Sequence, residues 1–301
     1  MRRAVSEETV AVVGATGMLG EPVARQLLRD GFAVRLLVRD VQRAQEKLGP
    51  DFSYVPAELA SADSLRRALE GCAGVHVSLQ AAGGPEAIAR VEHPGTTRLA
   101  AIAAEQGLSR LSFLSGMYAG EAFADAPAER AKAKAEEAIR RSGVPFTIFK
   151  PSYFMETLPR HVQGRYAVVL GRQPHPLHMV AAGDYARMVS SAYRKPEAAN
   201  KSLYVFGPEA VTISEALRLY TSLAEPGKRV MVAPLPLMSA LDTIFMGRRL
   251  ARTLALMKVM QRVGEVGDPS EANRLLGAPA TTLHSWCELQ RRGQSAVDRQ
   301  A

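Results

Sequence analysis

Three glycines near the start of the chain have the spacing of a phosphate-binding turn. Gly14, Gly17 and Gly20 are separated from one another by two residues. In such a turn one glycine permits a tight bend, one lets the backbone approach a pyrophosphate, and one allows a helix to pack closely on a strand. The N-terminus of the following helix then offers unpaired N–H groups to phosphates. We therefore predict a dinucleotide site that contains Gly14, Thr16, Gly17, Met18, Leu19 and Gly20.

The segments around this turn alternate between strand and helix patterns. Residues 9–13 form a short apolar run that ends at the first glycine, and residues 19–28 have helical periodicity. Similar apolar runs, separated by helical segments, occur at 33–38, 52–55, 75–79, 111–115 and 145–149. This repetition predicts an α/β fold, a doubly wound parallel sheet with helices on both faces, which is the Rossmann architecture.

The pattern becomes less regular after the sixth predicted strand. We expect residues 1–155 to form the NAD(P)-binding core, with its sheet completed by residues 181–206. Ligands of open α/β sheets bind beyond the carboxyl ends of the strands. We therefore expect residues 156–180 and 207–301 to form a smaller, mainly helical lobe that shapes the substrate pocket.

The end of the second predicted strand bears on the choice between NAD and NADP. An acidic residue there pairs with the ribose 2′-hydroxyl of NAD, whereas an arginine accommodates the 2′-phosphate of NADP. Arg39 follows the strand directly, and Asp40 comes next. This order favours NADP, with NAD as the alternative. Asp40 is also a suitable N-cap for the next helix, and Arg39 has the alternative of a solvated surface residue.

Short motifs follow one another along the chain in a characteristic order. They occupy residues 14–20, 58–59, 92–97, 142–151, 184–186 and 207–212. In this order they resemble the atypical short-chain dehydrogenases/reductases of the NmrA-like kind, and the resemblance covers most of the chain. It implies that the cofactor also contacts Glu58, Leu59, Gln80, Ala81, Lys132, Pro151 and Tyr153.

The resemblance breaks down at the proton donor. Hydride-transfer enzymes of this family use a tyrosine and a lysine four residues later, whose charge lowers the tyrosine pKa. Lys132 matches the lysine, but Ala128 occupies the tyrosine position. The other candidate, Lys134, is preceded at that distance by Arg130.

Three alternatives for the chemistry stay open. Lys132 binds the ribose and handles the proton itself, or the hydroxyl of Tyr118 or Tyr153 takes that role, or the chain performs no chemistry. Ser115 ends the fifth predicted strand, where the family's catalytic serine would lie. Its alternative role is to satisfy local backbone groups.

Composition and charge exclude several classes of protein. The chain has 301 residues, of which 47% are hydrophobic and 23% charged, as in ordinary globular proteins. Its net charge of +8 is spread without interleaved aromatic residues, so nucleic acid is not an expected partner. Cys72 and Cys287 are predicted to be reduced thiols. No metal is expected, since His175 and His178 lack further ligands at suitable spacing.

The chain is predicted to be cytoplasmic. Its first residues contain no apolar signal segment, and no apolar run approaches the roughly 18 residues of a membrane span. Residues 235–263 combine methionines with a cluster of arginines. This segment suits core or subunit packing, an apolar substrate pocket, or peripheral contact with a membrane.

Together these features lead to one leading hypothesis and one rival. The first is an NADP-dependent reductase that transfers a hydride to a small apolar carbonyl, enone or quinone-like substrate. The rival is a non-catalytic protein that senses NAD(P)H or binds a partner, for which the missing tyrosine is expected. A monomer or a homodimer is consistent with either.

Overall fold

The computed structural model describes residues 8–79, 85–123 and 126–297, with side chains except at 85–92 and 294–297. The strands are β1 (Thr9–Val13), β2 (Ala33–Val38), β3 (Ser53–Pro56), β4 (Gly74–Val77), β5 (Arg110–Leu114), β6 (Phe146–Pro151), β7 (Val162–Gln163), β8 (Tyr166–Leu170), β9 (Leu177–His178), β10 (Lys201–Val205), β11 (Ala210–Val211) and β12 (Arg229–Ala233). The α-helices are α1 (Gly20–Arg29), α2 (Val41–Leu48), α3 (Ala62–Leu69), α4 (Pro85–Glu105), α5 (Pro127–Ser142), α6 (Ala182–Tyr193), α7 (Ile213–Leu223), α8 (Leu235–Phe245), α9 (Ala251–Val263), α10 (Ser270–Leu276) and α11 (Leu283–Val297).

The main sheet is parallel throughout its described pairs. Its strand order is β10-β6-β5-β4-β1-β2-β3, so the order reverses between β1 and β4. All residues of β5 and all but the first of β1 are buried, as expected for strands covered on both faces. The predicted doubly wound parallel sheet is therefore confirmed. Ligands of such sheets bind in the crevice at the reversal point.

Two apolar layers cover the sheet. On one face, side chains of α1, α2, α6 and α10 form a single buried cluster with alternate residues of β1 and β2. On the other face, α3, α4 and α5 pack against the remaining side chains of β1, β4 and β5. This division follows from the alternation of side chains along each strand.

A third apolar cluster lies in the C-terminal part of the chain. It joins α7, α9 and α11 to β8. Two small sheets accompany these helices, one with the order β12-β8-β7 and one formed by β9 and β11. The sequence predicted mainly helices here, and the small sheets are additional. In the part of the chain that the structure describes, no helix has the length and apolarity needed to cross a membrane.

Asp184 ties the C-terminal segment to the main sheet's helical layer. Its Oδ2 accepts hydrogen bonds from the backbone N–H groups of Ala280 (3.0 Å) and Thr281 (2.8 Å). Asp184 lies in the first turn of α6 and is 8% exposed. A carboxylate that receives backbone N–H donors in a buried position fixes both partners. The position of the segment before α11 is therefore set by α6.

Candidate functional site: a dinucleotide crevice at the carboxyl edge

The glycine turn packs so tightly against neighbouring backbone that it leaves no room for side chains. Gly14 has a φ of +83°, and a Cβ there would lie 2.1 Å from the carbonyl oxygen of Ser78. A Cβ on Gly20 would lie 2.1 Å from the carbonyl oxygen of Gly14. Gly17 donates its N–H to that same oxygen at 2.9 Å. The turn therefore brings bare backbone to the reversal point between β1 and β4.

The start of α1 has the properties of an anion site. Its N-cap residue, Leu19, provides no side-chain hydrogen bond. The first N–H groups of a helix have no acceptor within the helix, so they are available to a phosphate. Lys47 also lies beside the turn and donates from Nζ to the carbonyl oxygen of Thr16 at 2.9 Å. The sequence contains no signal for this lysine, because it comes from α2.

The end of β2 carries an exposed arginine next to a carboxylate that is already hydrogen-bonded. Asp40 caps α2, and its Oδ1 accepts the Arg43 N–H at 3.0 Å. In the structure Asp40 is therefore a helix cap, which was one of the roles predicted for it. Arg39 is exposed directly after β2. An arginine in this place suits a 2′-phosphate better than a ribose hydroxyl.

Two of the sequence motifs meet beside the crevice. A Cβ on Gly95 would lie 3.2 Å from the Cβ of Leu59, so this glycine lets α4 approach the segment after β3. Arg98 donates from Nη1 to the carbonyl oxygen of Leu59 at 2.6 Å. Glu58 is exposed next to it. Gln80 and Ala81, which were also predicted to contact the cofactor, lie outside the described residues.

Lys132 reaches the carboxyl end of β5. Its Nζ donates to the carbonyl oxygen of Ser115 at 3.2 Å. A Cβ on Gly116 would lie 3.1 Å from Lys132 Nζ and 3.0 Å from Oε2 of Glu129. Glu129 is 5% exposed, and its Oε2 has no hydrogen-bond partner among the described atoms. A half-buried ammonium and a buried carboxyl therefore adjoin the same glycine.

The hydroxyl of Ser115 belongs to a buried ionic network. Its Oγ donates to Oε1 of Glu136 at 2.5 Å. Glu136 also pairs with Lys150 Nζ at 3.1 Å and with Arg140 Nη2 at 2.8 Å. Lys150 donates to the carbonyl oxygen of Ala119 at 3.0 Å. The Ser115 hydroxyl is therefore bonded to the side chain of Glu136 rather than to a local backbone group, and its catalytic role stays a prediction.

The two candidate tyrosine hydroxyls are both occupied. Tyr118 is 2% exposed and donates to the carbonyl oxygen of Gly264 at 2.5 Å. The hydroxyl of Tyr153 lies 2.9 Å from Nε2 of His161. Burial raises the pKa of both tyrosines above the ordinary value. A proton-donor tyrosine of this family has its pKa lowered by a lysine, so neither side chain has the expected environment.

A carboxylate and an imidazole form a further group that the sequence did not reveal. Glu265 accepts from the His178 backbone N–H at 2.9 Å and lies 2.5 Å from His178 Nδ1. It also accepts a hydrogen bond from Ser152, directly after β6. The His178 ring stacks on Phe206, with 5.8 Å between ring centroids, beside a cavity of about 400 Å³. His178 and Glu265 are 87 positions apart in the sequence, so no spacing pattern indicates their contact.

The carboxylate of Glu265 orients the ring of His178. A carboxylate oxygen accepts hydrogen bonds, so the contact with Glu265 orients the Nδ1 side of the ring toward the carboxylate. His178 also lines the cavity. Among the described residues no group of three or more metal-ligating side chains comes together.

Comparison with known proteins agrees with this geometry. Residues 14–196, more than half of the chain, match the profile of a family described as NAD(P)H-binding. The chain belongs to this NAD(P)H-binding family. The prediction of an NAD(P) cofactor is thereby confirmed, and the matched family is consistent with the resemblance to atypical short-chain dehydrogenases/reductases. The glycine turn, the uncapped start of α1 and the exposed Arg39 all suit such a cofactor.

Relatives of this NAD(P)H-binding protein include both reductases and assembly factors. It is 28% identical to the (4-alkanoyl-5-oxo-2,5-dihydrofuran-3-yl)methyl phosphate reductase of Streptomyces griseus subsp. griseus, over 93% of this chain and 92% of the relative. It is 23% identical to a photosystem II assembly factor of Trieres chinensis, over 84% and 82%. The NADPH complex of an NADPH-dependent quinone oxidoreductase from Escherichia coli has the same fold, with a TM-score of 0.74 and 20% identity over 93% and 99%.

Proposed function

We propose that the chain is an NADP(H)-dependent reductase that transfers a hydride to a small apolar carbonyl, enone or quinone-like compound. The observation that supports this most is the position of Lys132 at the carboxyl end of β5, beside the crevice. Several relatives are reductases, which supports the same class of reaction. We further propose that residues 156–180 and 207–301 enclose the substrate.

The choice of NADP rests on the end of β2. The guanidinium of Arg39 can form two parallel hydrogen bonds with a 2′-phosphate, and the neighbouring Asp40 carboxylate is already used as a helix cap. The pyrophosphate would lie against the backbone of Gly14 and Gly17 and the start of α1. Lys47, whose Nζ also lies 3.5 Å from Oε2 of Glu21, places an ammonium on the same side.

Lys132 and the loop after β6 would hold the nicotinamide half. The Lys132 ammonium can donate to the ribose hydroxyls while it keeps its bond to the Ser115 carbonyl. Pro151 ends β6, and Tyr153 follows on the nicotinamide side, where its ring would contact the cofactor through its apolar body. When bound, NADPH supplies the hydride from C4 of its nicotinamide.

The proton must come from a group other than the usual tyrosine. Ala128 is buried and carries no hydroxyl, and one residue further along α5 lies Glu129, whose Oε2 has no hydrogen-bond partner among the described atoms. We propose that the Glu129 carboxyl passes a proton to the acceptor oxygen as the acceptor carbon receives the hydride. Water replaces the transferred proton, so the products are the reduced hydroxyl compound and NADP⁺.

A screen for NADPH oxidation tests this function. Benzoquinones, enones and aldehydes are offered to the full chain with NADPH, and absorbance at the nicotinamide band is followed. We expect turnover with at least one apolar acceptor. Glu129→Gln should lower kcat about 100-fold without weakening NADPH, as is typical for loss of a general acid. Lys132→Met should weaken NADPH binding itself. An unchanged kcat in Glu129→Gln would assign the proton to Lys132 or water.

The missing tyrosine favours a second candidate function. A protein that binds NAD(P)H to report on its concentration, or to contact a partner, has no need of a proton donor at position 128. Binding of NADPH without turnover of any acceptor would support this candidate. Failure to bind either nucleotide would contradict both functions.

A further inference from the structure

The tip formed by the end of α8 and the turn into α9 carries the most exposed apolar side chains of the described chain. Ile244 is 69% exposed, Phe245 76% and Met246 38%. On the preceding turns of α8, Leu237 is 54% and Leu241 37% exposed. Single exposed leucines are ordinary on protein surfaces, but a contiguous group marks an interaction site. We call residues 237–249 the α8 tip.

The α8 tip has a defined shape. The backbone carbonyl of Asp242 accepts the N–H of Arg248 at 3.0 Å, and its Oδ1 accepts the N–H of Leu250 at 2.9 Å. Asp242 is 2% exposed. Gly247 and Arg248 have φ angles of +58° and +62°, which reverse the chain sharply. These bonds fix the backbone directly after the exposed side chains of Ile244, Phe245 and Met246.

The exposed charged residues in the sequence around the tip are all basic. Residues 235–264 contain a single acidic residue, the buried Asp242. They contain five basic residues, Arg248, Arg249, Arg252, Lys258 and Arg262. The first two follow the apolar group after Gly247 and are exposed. Meanwhile Leu254, Met257 and Met260 anchor α9 in the C-terminal cluster.

We propose that the α8 tip binds the surface of an anionic lipid bilayer. Apolar side chains next to arginines suit the boundary between acyl chains and negatively charged headgroups. The anchored face of α9 keeps the tip projecting from the fold while the apolar group enters the membrane surface. This contact is peripheral and does not depend on the reductase function.

Flotation with lipid vesicles tests the proposal on the full chain. Vesicles contain phosphatidylcholine alone or mixed with phosphatidylglycerol. We expect flotation with the mixed vesicles only, and weaker flotation as salt is raised. A basic side chain at an anionic surface contributes about fivefold to partitioning, so Arg248→Glu with Arg249→Glu should lower it at least 25-fold. Ile244→Ser with Phe245→Ser should lower it at least tenfold.

Matched control variants distinguish lipid binding by the α8 tip from nonspecific apolar binding and from a general effect of net charge. Leu289→Ser removes a leucine that is 57% exposed on α11, and Arg67→Glu with Arg292→Glu makes the same charge change elsewhere. Partitioning of the leucine variant should equal that of the wild type, and the charge variant should lose less than the tip pair. Equal losses at the tip and in the controls, or no flotation of the wild type, would overturn the proposal.

A fluorescent tip variant gives a second measurement that does not depend on loss of binding. The chain has one tryptophan, Trp286, which is 4% exposed and so insensitive to lipid. Phe245→Trp should shift its emission to the blue when anionic vesicles are added. No shift would contradict insertion. A tip substitution that instead changes the sedimentation of the lipid-free chain would assign this surface to contact between copies and overturn the proposal.

Discussion

Gly14→Ala isolates the role of the glycine turn, because Gly31 provides a matched control. Both glycines have nearly the same φ, +83° and +85°. A Cβ on Gly31 meets no atom within 4 Å, whereas one on Gly14 lies 2.1 Å from the Ser78 carbonyl oxygen. Ser78 cannot retreat easily, since its N–H donates to the Val13 carbonyl at 3.0 Å. The two alanine variants therefore share backbone strain and differ in the clash.

The expected magnitudes follow from these two costs. An alanine in the left-handed region costs about 1–2 kcal/mol, which is the whole effect expected for Gly31→Ala. Overpacking against the backbone adds about 1–3 kcal/mol to the free-energy loss in Gly14→Ala. A backbone displaced at the pyrophosphate contact should also weaken NADPH at least tenfold, about 1.4 kcal/mol, in the Gly14 variant alone.

Urea unfolding and fluorescence titration with NADPH measure the two effects. The midpoint should fall further for Gly14→Ala than for Gly31→Ala, and only the former should lose NADPH affinity. If both variants were equally destabilised and both bound NADPH as tightly as the wild type, the proposed packing of the turn against Ser78 would be refuted.

Three further perturbations have outcomes that the structure predicts. Arg39→Ala should weaken NADPH about 10- to 100-fold, as for loss of a charged hydrogen bond, with little effect on NADH; equal losses in titrations would refute its role. Lys150→Met leaves the buried Glu136 with one cation fewer and should cost about 3 kcal/mol in urea unfolding, whereas Lys201→Met, at an exposed pair, should cost about 0–1 kcal/mol. Burial lowers the pKa of His76 to about 3. Below pH 6.5 this histidine therefore binds a proton in the unfolded chain but not in the folded chain. Stability should therefore fall on acidification from pH 6.5, by roughly 3 kcal/mol at pH 4 from this group. His76→Phe should flatten that slope, and an unchanged slope would contradict the assignment.

The parts of the fold that follow local rules were predictable from sequence. β1 and β2 have the bounds that the apolar runs indicated, because each run is buried on both faces and ends at a glycine or a charge. The helix after the glycine turn and the glycine geometry follow from the same local rules. The small sheet of β7, β8 and β12 was not predicted. β12 is mostly exposed, and it pairs with a strand about 60 residues earlier, so no local pattern indicates the pairing.

The candidate site was predictable where a motif fixes it and not where distant residues meet. Lys132 could be located by its distance from the glycine after α5. The burial of Glu129 could not be predicted, since an acid in a helix rich in lysine and glutamate has the pattern of a solvated surface. The occupied hydroxyl of Tyr118 depends on a backbone carbonyl 146 residues away. Such contacts are set by tertiary packing.

Transfer of deuterium from NADPH to a carbon acceptor tests the central claim most directly. NADPH labelled at the transferable C4 position is incubated with the full chain and an enone, and the product is analysed by mass spectrometry. The reductase function predicts one deuterium on carbon in the product, at a rate that falls in Lys132→Met. A chain that binds labelled NADPH and leaves all the label on the nicotinamide with every acceptor would contradict it.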